Sequence, residues 1–167
     1  MKKSVIVFLL SAILFAVACQ KKKQEVELST SESIFKEIAN NDNFTFYKND
    51  SSIVHSSPQS GHNAFFRVRF NGKAAAALTE NGKLPANGIF PEGSIIVKDL
   101  FNPQTGSKVV YSVLKKESAN TNSSNGWLWL EYDPSGKEVY KITNKGDGCV
   151  SCHSNNSRDK IRLFDLF

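Results

Sequence analysis

Long apolar runs are scarce in this 167-residue sequence, and the main one lies at the N-terminus. It covers residues 5–18 and follows two positive charges, Lys2 and Lys3. The run is shorter than the ~20 residues of a comfortable transmembrane helix, but it suits the hydrophobic region of a signal peptide. We therefore predict that residues 1–18 are a signal peptide and that the protein is exported to the cell envelope.

The residues around the predicted cleavage point fit two processing routes. Ala16-Val17-Ala18 matches an ordinary signal peptidase site, whereas the same residues followed by Cys19 resemble a bacterial lipobox with Ala16 in place of the usual Leu. We favour lipidation of Cys19, because a free thiol at the mature N-terminus would be reactive in an oxidising compartment. Residues 19–32 are then a membrane-anchored polar tether, and residues 33–167 form one domain.

A strong charge of one sign is also missing. The formal net charge is +5, and removal of Lys2 and Lys3 with the signal peptide lowers it to +3. The basic residues are scattered except for residues 21–23, which lie in the predicted tether. Nucleic-acid binding is therefore not expected. Apolar residues, in contrast, make up 40% of the chain and include 12 Phe, which is enough for a folded core.

Periodicity and turn residues predict an α+β domain, in which a mostly antiparallel sheet is joined by a few short helices. A first helix is expected at residues 29–40, with Ser31 or Ser33 as its N-cap, and a short one at 74–78. In the strand at 66–70, the apolar residues should face one way and two arginines the other. Further strands are predicted at residues 94–100, 109–114, 127–132 and 138–142.

Cysteine is scarce, and two of the three cysteines fall in one motif, Cys149-x-x-Cys152-His153. C-x-x-C-H is the attachment pattern of c-type haem, in which two thiols bond to the porphyrin and the adjacent imidazole ligates iron. We therefore predict one haem c per chain, held by Cys149 and Cys152, with His153 as the axial iron ligand.

Three other interpretations of the motif are weaker. A redox C-x-x-C pair would be expected in a thioredoxin-like βαβ context, which this region lacks. A structural zinc site needs four ligands and would have to recruit His55 or His62 from a distant loop. A simple disulfide would explain the two cysteines but not the histidine.

Methionine is almost absent, because Met1 is the only one and leaves with the signal peptide. A His/Met electron-transfer cytochrome is thereby excluded. The remaining candidates for a sixth iron ligand are His55, His62, a lysine, water or nothing. Both histidines lie in a Ser/Gly-rich stretch and are expected at the surface, so the sequence favours an open or water-filled distal site.

The sequence resembles the cytochrome P-460 family, which includes the related cytochromes c-prime-beta. The resemblance rests on four segments in the family's order: FFRVRFNGKAAAAL, FPEGSIIVKDLF, GWLWLEYDPSGK and CVSCHSNNSRD. It implies a mostly antiparallel β fold that carries a pentacoordinate c-type haem and an apolar, aromatic distal pocket.

The resemblance also suggests roles for individual residues. In the P-460 branch a lysine is cross-linked to the porphyrin edge, and Lys98 occupies that place in FPEGSIIVK. Alternation puts Ile96, Lys98 and Leu100 on one strand face, although a solvent-facing lysine beside Asp99 is the alternative. Active members also have a distal carboxylate that assists proton removal, for which Asp147 is the only acid just before the motif. Candidates for the distal pocket are Phe65, Phe66 and Phe90, with ordinary core packing as the alternative. Arg67 and Arg69 are candidates for contacting haem propionates or a bound ligand, with simple solvation as the alternative.

Two functions follow from the resemblance. Members with the cross-link oxidise a small nitrogen compound, hydroxylamine, and a partner cytochrome would take the electrons. The c-prime-beta branch lacks the cross-link and binds nitric oxide without turnover. Lys98 favours the first. Relatives are often dimeric, so a homodimer is one candidate assembly.

Overall fold

The computed structural model describes residues 29–40, 42–55, 62, 65–155 and 157–164. The predicted signal peptide and Cys19 lie outside the described residues. Within the described part of the chain, no helix is both long and apolar enough to cross a membrane.

Seven described strands form one antiparallel sheet, as the alternation predicts. They are β1 (Phe44–Phe46), β2 (Val54–His55), β3 (Phe65–Asn71), β4 (Ile95–Phe101), β5 (Lys108–Lys116), β6 (Trp127–Tyr132) and β7 (Glu138–Tyr140). The spatial order is β1-β3-β4-β5-β6-β7, and β2 pairs with β3 beyond the end of β1. The mostly antiparallel α+β fold is thereby confirmed.

The helices are short. They are α1 (Thr30–Ala39), α2 (Gly72–Ala76) and α3 (Val150–His153), with 3₁₀ turns at Tyr47–Asn49 and Ile142–Asn144. α1 and α2 pack on opposite faces of the sheet. The N-cap of α1 is Ser29, which forms a capping box with Glu32, and not Ser31 or Ser33 as predicted. Ser31 is instead buried, and its hydroxyl pairs with the Tyr132 hydroxyl at 3.0 Å.

The sheet buries both of its faces. One face, which we call the helix face, is covered by Ile34 and Ile38 of α1. The other, which we call the site face, is covered by α2 and by residues close to α3 in sequence. Alternate residues of each central strand divide between the two cores: Ile96 and Leu100 of β4 lie on the site face, and Ile95 and Val97 on the helix face.

Two arginines of β3 point to the helix face, opposite to the apolar residues of the strand, as predicted. They are not fully solvated, however, since Arg67 is half-buried. Arg69 is fully buried, and both Arg67 and Arg69 pair with the buried carboxylate of Asp99 at 3.1 and 3.3 Å. An Arg69 amino group also donates to the carbonyl oxygen of Ile38 at 2.8 Å. Arg69 therefore joins α1 to the sheet, on the opposite side from Lys98.

Candidate functional site

The C-x-x-C-H motif forms a single helical turn. α3 runs from Val150 to His153, Cys149 is its N-cap, and the amide of His153 donates to the carbonyl of Cys149 at 3.1 Å. The i, i+3 and i+4 spacing puts Cys149, Cys152 and His153 on one side of the turn. Both cysteines are free thiols, with Cys149 half-buried against the site-face core and Cys152 exposed.

A glycine allows this turn to pack closely on the sheet. Gly146 has φ +75°, and a Cβ at this position would lie 2.8 Å from the ring of Trp129. Only glycine fits both the backbone conformation and the contact. The backbone just before Cys149 therefore lies against the ring of Trp129 on β6.

The imidazole of His153 is held in one orientation. Its ring packs edge-on against Trp129, with centroids 5.1 Å apart, and Nδ1 lies 2.7 Å from the carbonyl oxygen of Lys160. Because a carbonyl can only accept, Nδ1 carries the proton and Nε2 is the nitrogen with a lone pair. Burial lowers the pKa of His153, the Lys160 contact opposes that shift, and the charges of Arg162 and Lys98 lower the pKa further.

A tight turn positions the Lys160 carbonyl. Arg158 and Ile161 exchange two backbone hydrogen bonds, and the two residues between them, Asp159 and Lys160, have φ of 45° and 71°. These left-handed conformations are unfavourable for residues other than glycine, so the turn needs support.

A largely buried ion pair supplies that support. Lys116 Nζ lies 2.8 and 3.0 Å from the two carboxylate oxygens of Asp159, and side-chain exposure is only 7% and 10%. The Asp159 carboxylate also accepts from the Phe90 amide at 2.8 Å and from the Trp127 ring nitrogen at 3.4 Å. The turn that carries Lys160 is thus fixed to the sheet.

Strand register assembles a row of side chains on the site face. Lys98 pairs with Val68 on one side and Ser112 on the other, Ser112 pairs with Glu131, and Glu131 pairs with Tyr140. Directly paired residues in an antiparallel sheet project from the same face. A lysine and a glutamate that are 33 positions apart in sequence are therefore only two strands apart on the face to which Cys149 packs.

Lys98 lies on the site face, between Ile96 and Leu100, as the alternation predicts. Its ammonium group is 4.0 Å from the centre of the Phe66 ring. Burial, followed by the positive charge of Arg162, lowers the pKa of Lys98 to about 8. The amine is therefore neutral, and so nucleophilic, more often than that of an exposed lysine.

Glu131 is the acid that sequence reasoning missed. It is half-buried on the site face, and burial raises its pKa, while a hydrogen bond from Ser112 lowers it. The signal was present in the sequence, because Trp127, Trp129 and Glu131 alternate along one strand face, and an acid at the third position breaks the apolar pattern. Asp147, the acid considered from the sequence, is exposed, and its backbone carbonyl accepts from the Tyr140 hydroxyl at 2.8 Å.

The two remaining histidines differ. His55 is exposed, as expected, and its ring lies on Phe65 at 4.7 Å. His62 is half-buried instead: Nδ1 is 3.6 Å from Glu131 Oε1, and its ring centre is 6.1 Å from that of His153. Burial, then the charges of Lys98 and His153, lower the pKa of His62 to about 4, so the ring is neutral at pH 7. No group of three or more His, Cys, Asp or Glu among the described residues could hold a metal ion by itself.

The predicted aromatic residues separate into different environments. Phe66 and Phe90 are both buried in the site-face core, but only Phe66 contacts Lys98. Phe90 instead packs against Phe70, Phe164 and Trp127. Phe66 is thus the phenylalanine that lines the site.

The described residues thus define the class of the protein, an antiparallel β-sheet protein with a histidine turn anchored on one face. The family model for Cytochrome P460 matches residues 44–162, which covers the sheet and the motif turn. The chain therefore belongs to the cytochrome P460 family, and this membership implies a haem cofactor. No curated protein matches the sequence significantly.

Proposed function

We propose that the protein is an exported cytochrome that carries one haem c, attached through Cys149 and Cys152, with His153 as the axial ligand. Family membership supports the haem, and the one-turn helix α3 supports the mode of attachment, because it presents both thiols and the imidazole on one side. Bound haem would supply an iron that exchanges electrons and takes a small ligand.

The surrounding residues fit this cofactor. The hydrogen bond from His153 Nδ1 to Lys160 is the support that a metal-ligating histidine commonly has. The Arg162 side chain lies near Lys98 and His153, and its buried Nε has no hydrogen-bond partner. A haem propionate would accept a hydrogen bond from this Nε and would neutralise the positive charge of the guanidinium group.

The observation that carries the catalytic proposal is the pairing register, which brings Lys98 and Glu131 onto the face to which Cys149 packs. We infer redox chemistry on a small nitrogen compound such as hydroxylamine. Lys98, with a pKa lowered to about 8, is the candidate for cross-linking to the porphyrin edge. The Glu131 carboxylate would accept a proton from the bound nitrogen compound.

Binding of nitric oxide or a similar diatomic gas without turnover is the second candidate. The observation in its favour is the position of the Lys98 ammonium over the Phe66 ring, a cation–π contact that holds the side chain without any cross-link. Such a protein would sense or detoxify the gas.

The cellular setting belongs to the same proposal. Lipidation of Cys19 would anchor the protein in the cell envelope, in the periplasm or at the outer membrane. A partner cytochrome would receive the electrons, and a homodimer remains a candidate assembly.

The test is the ferric and ferrous absorption spectrum of the haem-matured protein, compared with Lys98→Arg and with Lys141→Arg, an exposed lysine, as the control. We expect a strongly red-shifted ferrous Soret band in the wild type and the control. In Lys98→Arg we expect an ordinary c-type band, haem that stays attached through Cys149 and Cys152, and loss of hydroxylamine oxidation.

Two results would contradict parts of this proposal. Identical spectra in all three proteins would remove the cross-link and favour gas binding. Loss of haem from the wild-type protein on a denaturing gel would overturn covalent attachment itself.

A further inference from the structure

An open groove adjoins the C-x-x-C-H turn. It has a volume of about 560 Å³ and is lined by residues 144–148, Ser124, Val150 and Ser151, and we call it the motif groove. Its lining includes the residues on either side of Cys149 in the chain. The groove therefore lies next to an attachment point of the proposed haem.

Trp129 connects the motif groove with His153. Its indole is buried, with 4% exposure, and Nε1 donates to the carbonyl oxygen of Ser124 at 3.1 Å. Gly146 lies so close to the ring that a Cβ there would be 2.8 Å away. The same ring packs edge-on against His153, with centroids 5.1 Å apart. Two residues of the groove wall and the proposed axial ligand thus share one aromatic neighbour.

The backbone provides a second connection. Gly148 and Val150, which line the groove, are the chain neighbours of Cys149. A thioether at Cys149 would therefore join the porphyrin covalently to the groove wall. Electrons pass between proteins most readily where few bonds and contacts separate the cofactor from the surface, and both connections end at this groove.

The charges at the groove favour an anionic partner. Lys145 lines the groove, and Lys141 is one turn before it, since the Asn144 amide donates to the Lys141 carbonyl oxygen at 2.9 Å. Both lysines are exposed, as is Asp147, so positive charge is in excess. Charges at the rim of a docking surface act mainly on the association rate and on its salt dependence.

We propose that the motif groove is the docking surface for the electron carrier, and that this carrier is a small one-electron protein with an acidic contact surface. The inference rests on the proposed function, for which it supplies the point of electron exit. In each docking event one electron passes to the carrier, which is reduced as the haem iron is oxidised from ferrous to ferric. No bond forms or breaks in this step.

The test compares the haem-matured wild-type protein with Lys145→Asn and with Lys48→Asn as the matched control. Both lysines are exposed and left-handed, with φ of 51° and 53°, a conformation that asparagine tolerates. Lys48 lines a different cleft, beside β1. The measurement is the rate at which ferricyanide, a small trivalent anion, oxidises the ferrous protein at low and at high salt.

We expect Lys145→Asn to react about two- to fivefold more slowly than the wild type at low salt, because the anion loses the attraction of one charge. The difference should disappear at high salt, where exposed charges are screened. Tris(phenanthroline)cobalt(III), a cationic oxidant, should instead react faster with Lys145→Asn. Lys48→Asn should match the wild type with both oxidants, and the midpoint potential should be the same in all three proteins.

Binding gives a second readout, which involves no electron transfer. Hexacyanocobaltate(III) has the charge and shape of ferricyanide but is not reduced, and its cobalt NMR line broadens when it binds a protein. We expect the wild type and Lys48→Asn to broaden this line equally, and Lys145→Asn to broaden it less.

The outcomes separate this inference from the proposed function. Equal rates and equal line widths for Lys145→Asn and Lys48→Asn, in a protein with covalent haem, would place electron exit elsewhere and leave the proposed function intact. A slower reaction of Lys145→Asn that persists at high salt would also overturn the inference, because the effect would then not come from docking. Absence of covalent haem would defeat the proposed function itself.

Discussion

At the scale of single residues, Glu131 is the group that would move protons in the proposed reaction. Its burial raises the pKa of the carboxyl, and Ser112 opposes that shift by hydrogen bonding to the charged form. Another polar neighbour, His62, is neutral at pH 7 because burial lowers its pKa to about 4. Glu131 is therefore the acid–base group best placed to serve a ligand beside Lys98.

Glu131→Gln tests this role. The amide keeps the size of the side chain but cannot accept a proton, so we expect haem attachment to persist while hydroxylamine oxidation falls about 10²- to 10⁴-fold. Wild-type activity should rise with pH as Glu131 loses its proton. This pH-dependent rise should be absent from the activity profile of the variant. Glu37→Gln, an exposed position on α1, is the control. An unchanged pH profile in Glu131→Gln would refute the assignment.

At the scale of elements, the turn between Arg158 and Ile161 positions the side chain of His153, the proposed axial ligand. The ion pair between Lys116 and Asp159 offsets the cost of two left-handed residues, each on the order of 1–3 kcal/mol. It thereby holds the Lys160 carbonyl 2.7 Å from His153 Nδ1. In the proposed haem site, this strong acceptor at Nδ1 would make the imidazole a better donor to iron and would favour the ferric state.

Asp159→Asn should weaken that control. Lys116 would lose its partner, the turn would loosen, and the haem midpoint potential should rise by tens of millivolts, where ~59 mV corresponds to a tenfold change for one electron. Redox titration of the holoprotein measures this. A double variant, Lys116→Met with Asp159→Asn, should recover stability, because it removes the unpaired buried charge. A potential equal to that of the wild type in Asp159→Asn would show that the turn does not tune the iron.

At the scale of the whole molecule, the helix face stabilises the fold separately from the site. α1 is joined to the sheet by the Arg69 contact with Ile38 and by the Tyr132 hydroxyl, which donates to the Ser31 carbonyl at 2.9 Å. Burial raises the pKa of Tyr132 to about 12, although the hydrogen bond with Ser31 opposes this. The folded protein therefore resists ionisation of this phenol more than the unfolded chain does.

The sign of this shift predicts alkaline instability. An unfolded tyrosine ionises near pH 10, so the stabilisation from neutral Tyr132 is complete below pH 10 and is lost as the pH rises to about 12. We expect the free energy of unfolding of the wild type to fall by on the order of 2 kcal/mol more than that of Tyr132→Phe over this range. Denaturant titrations at each pH measure it, with Tyr111→Phe as the control. Parallel curves for wild type and Tyr132→Phe would contradict the prediction.

The elements that sequence reasoning found are those whose pattern is local. β6 covers residues 127–132 as predicted, because its alternating residues bury both strand faces. β1 and β2 were missed, since strands of three and two residues carry too little periodicity and exist through pairing with β3. The predicted N-cap of α1 was wrong because the Ser31 hydroxyl forms a hydrogen bond with the hydroxyl of Tyr132, a residue 101 positions away.

The sequence by itself determined the five predicted strands, the placement of Lys98 on one strand face and the C-x-x-C-H motif, because each depends on spacing within a few residues. Only the tertiary structure decided which distant groups meet: Glu131 across the strands from Lys98, Asp159 on Lys116, and His62 opposite His153. These contacts depend on strand register and on the path of the connecting loops. A shift of one residue in register would turn each side chain of the strand to the other face of the sheet.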